Sequence, residues 1–245
     1  MHWILLLTQY FTRIPVKRNL DYSPANVRQA MCLSSLHAAF VALIPLAWSQ
    51  GLHYLRVPSL LNALLTLTLY LILTGAFHLD GFADTLDGLF SGRSRERILE
   101  IMKDPTMGSY GTAGIFLNLA MKSYILYQLI DANQIYFLPL LAATGKFALV
   151  LLAYVGKRAK ENSSANLLIA NIMPLALLTN VLVPLAIGFA FHLPVRTGLG
   201  ILTVILVTLL FNGICRQKIN GLVGDNLGFI AELAEIIVGI FIVSI

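Results

Sequence analysis

Apolar residues run along this chain in segments long enough to cross a bilayer, near 30–50, 58–79, 110–130, 135–155, 167–192, 197–215 and 226–245. Short polar stretches separate them. A spanning helix needs about 20 mostly apolar residues, and each of these segments meets that length. The segment 3–15, WILLLTQYFTRIP, is too short to span. It lacks the basic opening and small-residue cleavage site of a signal peptide, and reads as a helix lying in the interface or dipping into it. The pattern predicts an all-α, polytopic membrane bundle of about seven spanning helices plus a short N-terminal interfacial helix. No linker, low-complexity tract or internal repeat divides it, so residues 1–245 read as a single membrane domain.

Charge then fixes the orientation. Seven spans place alternate polar segments on opposite sides, and Lys/Arg excess marks the cytoplasmic one. Arg13, Lys17, Arg18 and Arg28 precede the first span; Arg93, Arg95, Arg97 and Lys103 lie in 80–109; Lys157, Arg158 and Lys160 in 156–166; Arg216 and Lys218 in 216–225. Thirteen of the 17 basic residues thus share one face, against Arg56 and Arg196 on the other, with Lys122 and Lys146 inside spans. Segments 80–109, 156–166 and 216–225 are therefore expected in the cytoplasm.

Composition supports the same reading. The 245 residues are 58% hydrophobic and only 12% charged, with a mean hydropathy of +0.79. A soluble domain carries about 25% charged residues, so this chain has too little polar surface to cover a globule in water. Its net charge of +5 has a topological cause and does not point to nucleic acid. Cys32 and Cys215 sit far apart in apolar surroundings, outside any C-x-x-C or zinc-like spacing, and read as packing residues.

The chemistry concentrates on the basic face. Nine of the twelve acids lie there: Asp21, Asp80, Asp84, Asp87, Glu96, Glu100, Asp104, Glu161 and Asp225. The densest run is His78-Leu79-Asp80-Gly81-Phe82-Ala83-Asp84-Thr85-Leu86-Asp87-Gly88. If the preceding helix continues through it, Asp80, Asp84 and Asp87 stack on one face at i, i+4 and i+7. Carboxylates so close repel one another and call for a cation. Oxygen-only ligands suit Mg²⁺, with Mn²⁺ as the alternative, better than zinc. Mg²⁺ held by a few carboxylates commonly also binds substrate phosphates, so the run reads as a phosphate-handling site. A solvated helix end pairing with nearby arginines is the plainer alternative, but Gly81, Phe82, Ala83 and Gly88 make a poor solvated face.

Downstream, Arg93 to Lys103 looks like an amphipathic cytoplasmic helix stopped before Pro105. Its arginines suit phosphate oxygens and lipid headgroups equally. Gly108-Ser109-Tyr110-Gly111 turns into the next span and offers backbone N–H groups to an anion. Further on, Asp225, Glu232 and Glu235 share one helical face. Glu232 and Glu235 fall inside an apolar span, where an ionised acid is costly and a functional candidate; a structural pair with Lys122 or Lys146 is the alternative.

These motifs resemble those of the cobalamin synthase family, the adenosylcobinamide-GDP ribazoletransferases. The resemblance runs through Phe11-Thr12-Arg13-Ile14-Pro15-Val16, the His78–Gly88 run, Glu100-Ile101-Met102-Lys103-Asp104, Gly108, Gly111, and Gly224-Asp225-Asn226-Leu227-Gly228 with Glu232. The chain departs around 144–166, where Thr144-Gly145-Lys146 and Arg158-Ala159-Lys160 carry lysines in place of the family's arginines, and lysine lacks arginine's two-point grip on phosphate. The resemblance implies a bacterial cytoplasmic (inner) membrane enzyme that joins cobinamide-GDP to α-ribazole or its 5′-phosphate and releases GMP at a cytoplasmic site. It implies Asp80, Asp84 and Asp87 as metal ligands, with Asp80, Asp84, Asp104 and Asp225 catalytic and Asp104 or Asp225 as base. Arg13, His78, Lys103, Lys146, Gly108 and Glu232 are the expected substrate contacts. Membrane lipids, a second copy of the chain or other cobamide-assembly enzymes are the expected partners. Lipid-forming CDP-alcohol phosphotransferases and intramembrane prenyltransferases share the logic of acids with Mg²⁺, but the spacing Asp-x3-Asp-x2-Asp behind His78 matches neither as well. A transporter would not be expected to gather acids, glycines and a Pro-terminated helix in one loop.

Overall fold

The computed structural model describes residues 2–159 and 167–244. Lys160, Glu161 and Ser163 of the expected 156–166 loop lie outside these. Among the described residues the chain is helical: α1 (His2–Phe11), α2 (Pro24–Ala30), α3 (Ser34–Tyr54), α4 (Ser59–Thr74), α5 (Phe77–Leu89), α6 (Arg95–Ile101), α7 (Ser109–Asp131), α8 (Leu138–Val155), α9 (Pro174–Ala190), α10 (Pro194–Ile219) and α11 (Gly224–Val243). A lone bridge between Arg158 and Leu222 is the strand-like pairing outside them.

Each of the seven apolar segments contains a helix, but five helices are long and apolar enough to cross by themselves, or six if α4 and α5 count as one broken span. Two segments account for the difference. In 58–79, α4 stops at Thr74, where Gly75 (φ 66°) and Ala76 (φ 52°) both take left-handed backbone, and α5 leaves at 90°. In 167–192, α9 begins only at Pro174, whose ring suits a first helical turn, and has 17 residues. The acidic run is therefore a new helix set across the end of α4, where continuation of the preceding span was expected. At the other end of the bundle sequence, α10 continues to Ile219 and draws Arg216 and Lys218 into helix. Their long stems let the charged heads reach beyond the apolar layer.

The core centres on α8, which is buried on all sides over 89% of its spanning window. That matches its sequence, apolar all round except Lys146. Between membrane helices, close packing and hydrogen bonds replace much of the hydrophobic drive. Asn180 of α9 accordingly accepts from Ser34 Oγ and Ser35 N, both at 2.7 Å, and donates to Met31 O at 2.8 Å. Asn62 of α4 similarly accepts from Ser49 Oγ at 2.9 Å and donates to Ser49 O at 3.0 Å.

Candidate active site at the meeting of α5 and α11

Two glycines let α5 and α11 touch backbone to backbone. A Cβ on Gly81 would lie 2.8 Å from Asp225 Cα, and one on Gly228 would lie 2.9 Å from His78 O; no side chain fits at either place. Phe229 stacks on Phe82 at 4.9 Å and on Phe211 at 4.6 Å. Beside this seam Asn226 accepts from Val223 N at 2.9 Å and donates to Thr85 Oγ1 at 3.2 Å. These contacts bring Asp225 of the second motif up against the Asp80–Asp84 face of the first. Asp84 feels the charges of Asp225, Asp80 and Asp87, and Asp225 feels that of Asp80. Among the described residues no lysine or arginine forms an ion pair with any of the four.

Asp87 stands apart. Its carboxylate accepts from Gly108 N at 2.7 Å and Gly111 N at 2.9 Å, anchoring the start of α7 as an anionic cap does. Gly108 thus spends its N–H on Asp87, and the turn read as an anion cradle is closed by a carboxylate of the chain itself. Among the described residues no three acids, histidines or cysteines converge on a point that could hold a metal ion. Mg²⁺ needs only one or two carboxylates when phosphates and water complete its shell. The oxygen-only, uncompensated pair of Asp80 and Asp84 fits that requirement.

The amphipathic segment forms α6 over seven residues and ends well before Pro105. Lys103 and Asp104 follow it, both exposed. Asp104 accepts hydrogen bonds from the hydroxyl and the backbone N–H of Thr106, and these hold its carboxyl below the ordinary range. That makes it a weaker base. Arg97 pairs with Glu100 at 2.9 Å on the exposed face.

A cavity of about 150 Å³ opens between α1, α5, α8 and α11, with His78, Asp80 and Asp225 in its wall. Arg13 lies exposed at the α4–α5 corner, its N–H bonded to Leu73 O at 2.7 Å and its side chain laid over Gly75. Lys122 and Lys146 were the two cations open to a structural pair with Glu232 or Glu235, and Lys146 does not form one. Instead it bonds His78 Nε2 and sits 3.5 Å from the centre of the Phe11 ring. Lys122 takes both acids, at 2.6 Å each, and Tyr70 donates to Glu235 at 3.0 Å. The reason is the helix pairing: α7 and α11 run side by side in the same direction from the α5 end, so Lys122 and the two glutamates reach the same depth. Glu232 is thereby turned into a buried ion cluster, away from Asp80 and Asp225. The pairing had a signal in the sequence, two mid-span lysines and two mid-span acids, but which lysine took the acids had none.

The basic segments meet at this end of the bundle. Arg95 donates to Ile219 O at 3.2 Å and to Ala159 O at 3.1 Å. Lys218 donates to Leu89 O at 2.6 Å, and Ala159 N to Leu222 O at 3.0 Å. Segments 80–109, 216–225 and the described part of 156–166 therefore form one polar end around the acids.

Comparison with known proteins covers nearly the whole chain. The family model described as Cobalamin-5-phosphate synthase matches residues 3–243. A protein of Clostridium botulinum (strain 657 / Type Ba4) named adenosylcobinamide-GDP ribazoletransferase is 36% identical over 232 residues, covering 95% of this chain and 93% of that one. One of the same name from Treponema denticola is 32% identical over 258 residues, covering 97% of this chain and 96% of its own. No solved structure matches.

Proposed function

The chain belongs to the cobalamin-5-phosphate synthase family, and we propose that it is an adenosylcobinamide-GDP ribazoletransferase working at the α5–α11 seam. The observation that supports this seam is the backbone contact at Gly81 and Gly228, which brings Asp225 and Asp80 into one cavity wall, with Asp84 one turn further along α5. In the reaction a hydroxyl of α-ribazole, or of its 5′-phosphate, forms a bond to the phosphorus attached to cobinamide. The bond from that phosphorus to the GMP phosphate oxygen breaks, and GMP leaves. Phosphoryl transfer of this kind rests on positioning and charge stabilisation. Asp80 and Asp84 would hold Mg²⁺ (or Mn²⁺), leaving Asp225 beside them free of the metal. Bound there, the ion supplies charge neutralisation for the diphosphate and the departing phosphate.

Of the two candidate bases, Asp225 is the one this reading favours for the proton of the attacking hydroxyl; its support is that Asp225 lines the cavity and Asp104 does not. Asp87 positions the start of α7 and shares its oxygens between that task and any metal. His78, held by Lys146, faces the cavity as a substrate contact. Arg13 and Lys103 stand exposed at the polar end, available to phosphate oxygens. The thirteen-to-two distribution of basic residues supports a multi-pass protein of the bacterial cytoplasmic membrane with this end in the cytoplasm. The test is direct. Detergent-purified protein given Mg²⁺, adenosylcobinamide-GDP and α-ribazole should release GMP, and a chelator should stop it; absence of GMP from folded protein would end the assignment.

A further inference from the structure

The cavity beside Asp80 and Asp225 has two unlike walls. One carries His78, Asp80 and Asp225; the other is aromatic, built by Tyr10 and Phe11 at the end of α1 and Phe77 at the start of α5. The rings are mutually braced. Tyr10 meets Phe11 edge-on at 4.8 Å and Phe77 edge-on at 6.0 Å, and His78 has Phe11 at 5.7 Å and Phe77 at 5.5 Å. Phe77 nevertheless remains 54% exposed. A large ring held half-open at the polar end of a membrane bundle, next to unpaired carboxylates, has a face free for a ligand.

We infer that this cavity is the acceptor site, taking the N-ribosyl benzimidazole with its base against Phe77 and Tyr10 and its ribose hydroxyl towards Asp225. The inference rests on the ribazoletransferase reading and places one of its two substrates. About 150 Å³ suits a bicyclic base but not a corrinoid. The competing occupant is the guanosine of the donor, itself a base on a ribose. Guanine carries a polar edge of donors and acceptors, and a buried site that leaves such groups unpaired rejects them. On the ribazoletransferase reading the two carboxylates of the wall are committed, Asp80 to the metal and Asp225 to the attacking hydroxyl, and Lys146 already holds the His78 ring; what is left to face that edge is Leu149, Leu168 and Leu227 with the aromatic rings and the single Tyr10 hydroxyl. An N-ribosyl benzimidazole carries one ring-nitrogen acceptor in place of that edge and loses far less there. Tyr10, Phe11 and Phe77 then decide which bases the enzyme accepts, because stacking rewards any flat π-face while the apolar lining penalises polar ones.

Equilibrium binding of α-ribazole to the full-length detergent-purified protein, without donor, tests this. Phe77→Ala should weaken binding by about fivefold to a hundredfold, the range that loss of base–aromatic stacking gives. Phe77→Tyr should restore it, and affinity for cobinamide-GDP should stay within about twofold in both. Phe77 is exposed enough for its truncation to leave the fold standing, and a melting temperature measured on the same samples checks that. Adenosine and guanosine should compete poorly. Wild-type protein that does not bind α-ribazole, unchanged α-ribazole affinity in Phe77→Ala, or a loss confined to cobinamide-GDP would each overturn the inference. Binding that follows this pattern in protein that makes no GMP would uphold the acceptor cavity while refuting the reaction assigned above.

Discussion

Replacing Lys122 by methionine removes the only cation, among the described residues, that touches Glu232 and Glu235. Both contacts are 2.6 Å, and the three side chains are only 7%, 8% and 12% exposed. Breaking a buried pair by deleting one partner costs about 3–5 kcal/mol, because a charge is left without compensation. Here two carboxylates are left, and Tyr70 supplies a hydrogen bond to only one of them. At roughly 2–4 °C per kcal/mol for a chain of this size, Lys122→Met should melt about 6–20 °C below wild type. Cys215 is fully buried in α10, so a thiol-reactive dye added during a temperature ramp reports the opening of the bundle. Adding Glu232→Gln and Glu235→Gln to Lys122→Met removes both orphaned charges and should recover most of the loss. The same glutamine changes should not rescue Lys146→Met, since Lys146 leans on His78 and Phe11 instead. A Lys122→Met protein that melts within about 2 °C of wild type, or a triple variant no better than the single one, would refute the ion cluster as a structural element.

Four further outcomes follow from the same geometry. Asp80→Ala and Asp84→Ala should each lose more than about a hundredfold in kcat, the scale on which removal of a stabilising group at the reacting centre is felt, with melting unchanged; near-normal turnover in both would remove the metal site from α5. Asp225→Asn should abolish turnover while Asp104→Asn keeps more than about a tenth of it, since the Thr106 bonds that hold the Asp104 carboxyl low also disfavour its taking a proton; the reverse order in a GMP-release assay would reassign the base. Gly81→Ala forces a methyl to 2.8 Å from Asp225 Cα, and overpacking of this kind costs about 1–3 kcal/mol, so both activity and melting temperature should fall; a fully active Gly81→Ala would mean the helices need not touch. Ser94→Cys, exposed ahead of α6, should resist membrane-impermeant thiol reagents in intact cells and react once cells are opened; ready labelling from outside would invert the topology.

Sequence periodicity located the membrane helices well because a bilayer imposes a length on each of them. It placed a helix in every apolar segment and the acids at one polar end. It failed at the α4–α5 corner for a local reason. Gly75 is a visible helix breaker, but the left-handed Ala76 beside it is not, so nothing in the residues announced a 90° turn in place of a continuous span. The role of Asp87 was hidden in a similar way. At i+7 from Asp80 it looks like a third ligand, and only the packing of α5 on the start of α7 reveals that its oxygens also accept from Gly108 N and Gly111 N. Lys146 shows the limit most clearly. Depth along a span predicts which charges share a layer of the membrane, yet Lys122, Lys146, Glu232 and Glu235 all fall in similar layers. Which cation meets which acid depends on helix neighbours, and that information lies in small residues rather than charged ones. Gly145 lets α8 approach Glu235 so closely that a methyl there would sit 2.9 Å from its carboxylate, while Lys146, one residue on, projects around the helix towards His78. The glycines at 81, 145 and 228 thus decide which of the charged residues meet.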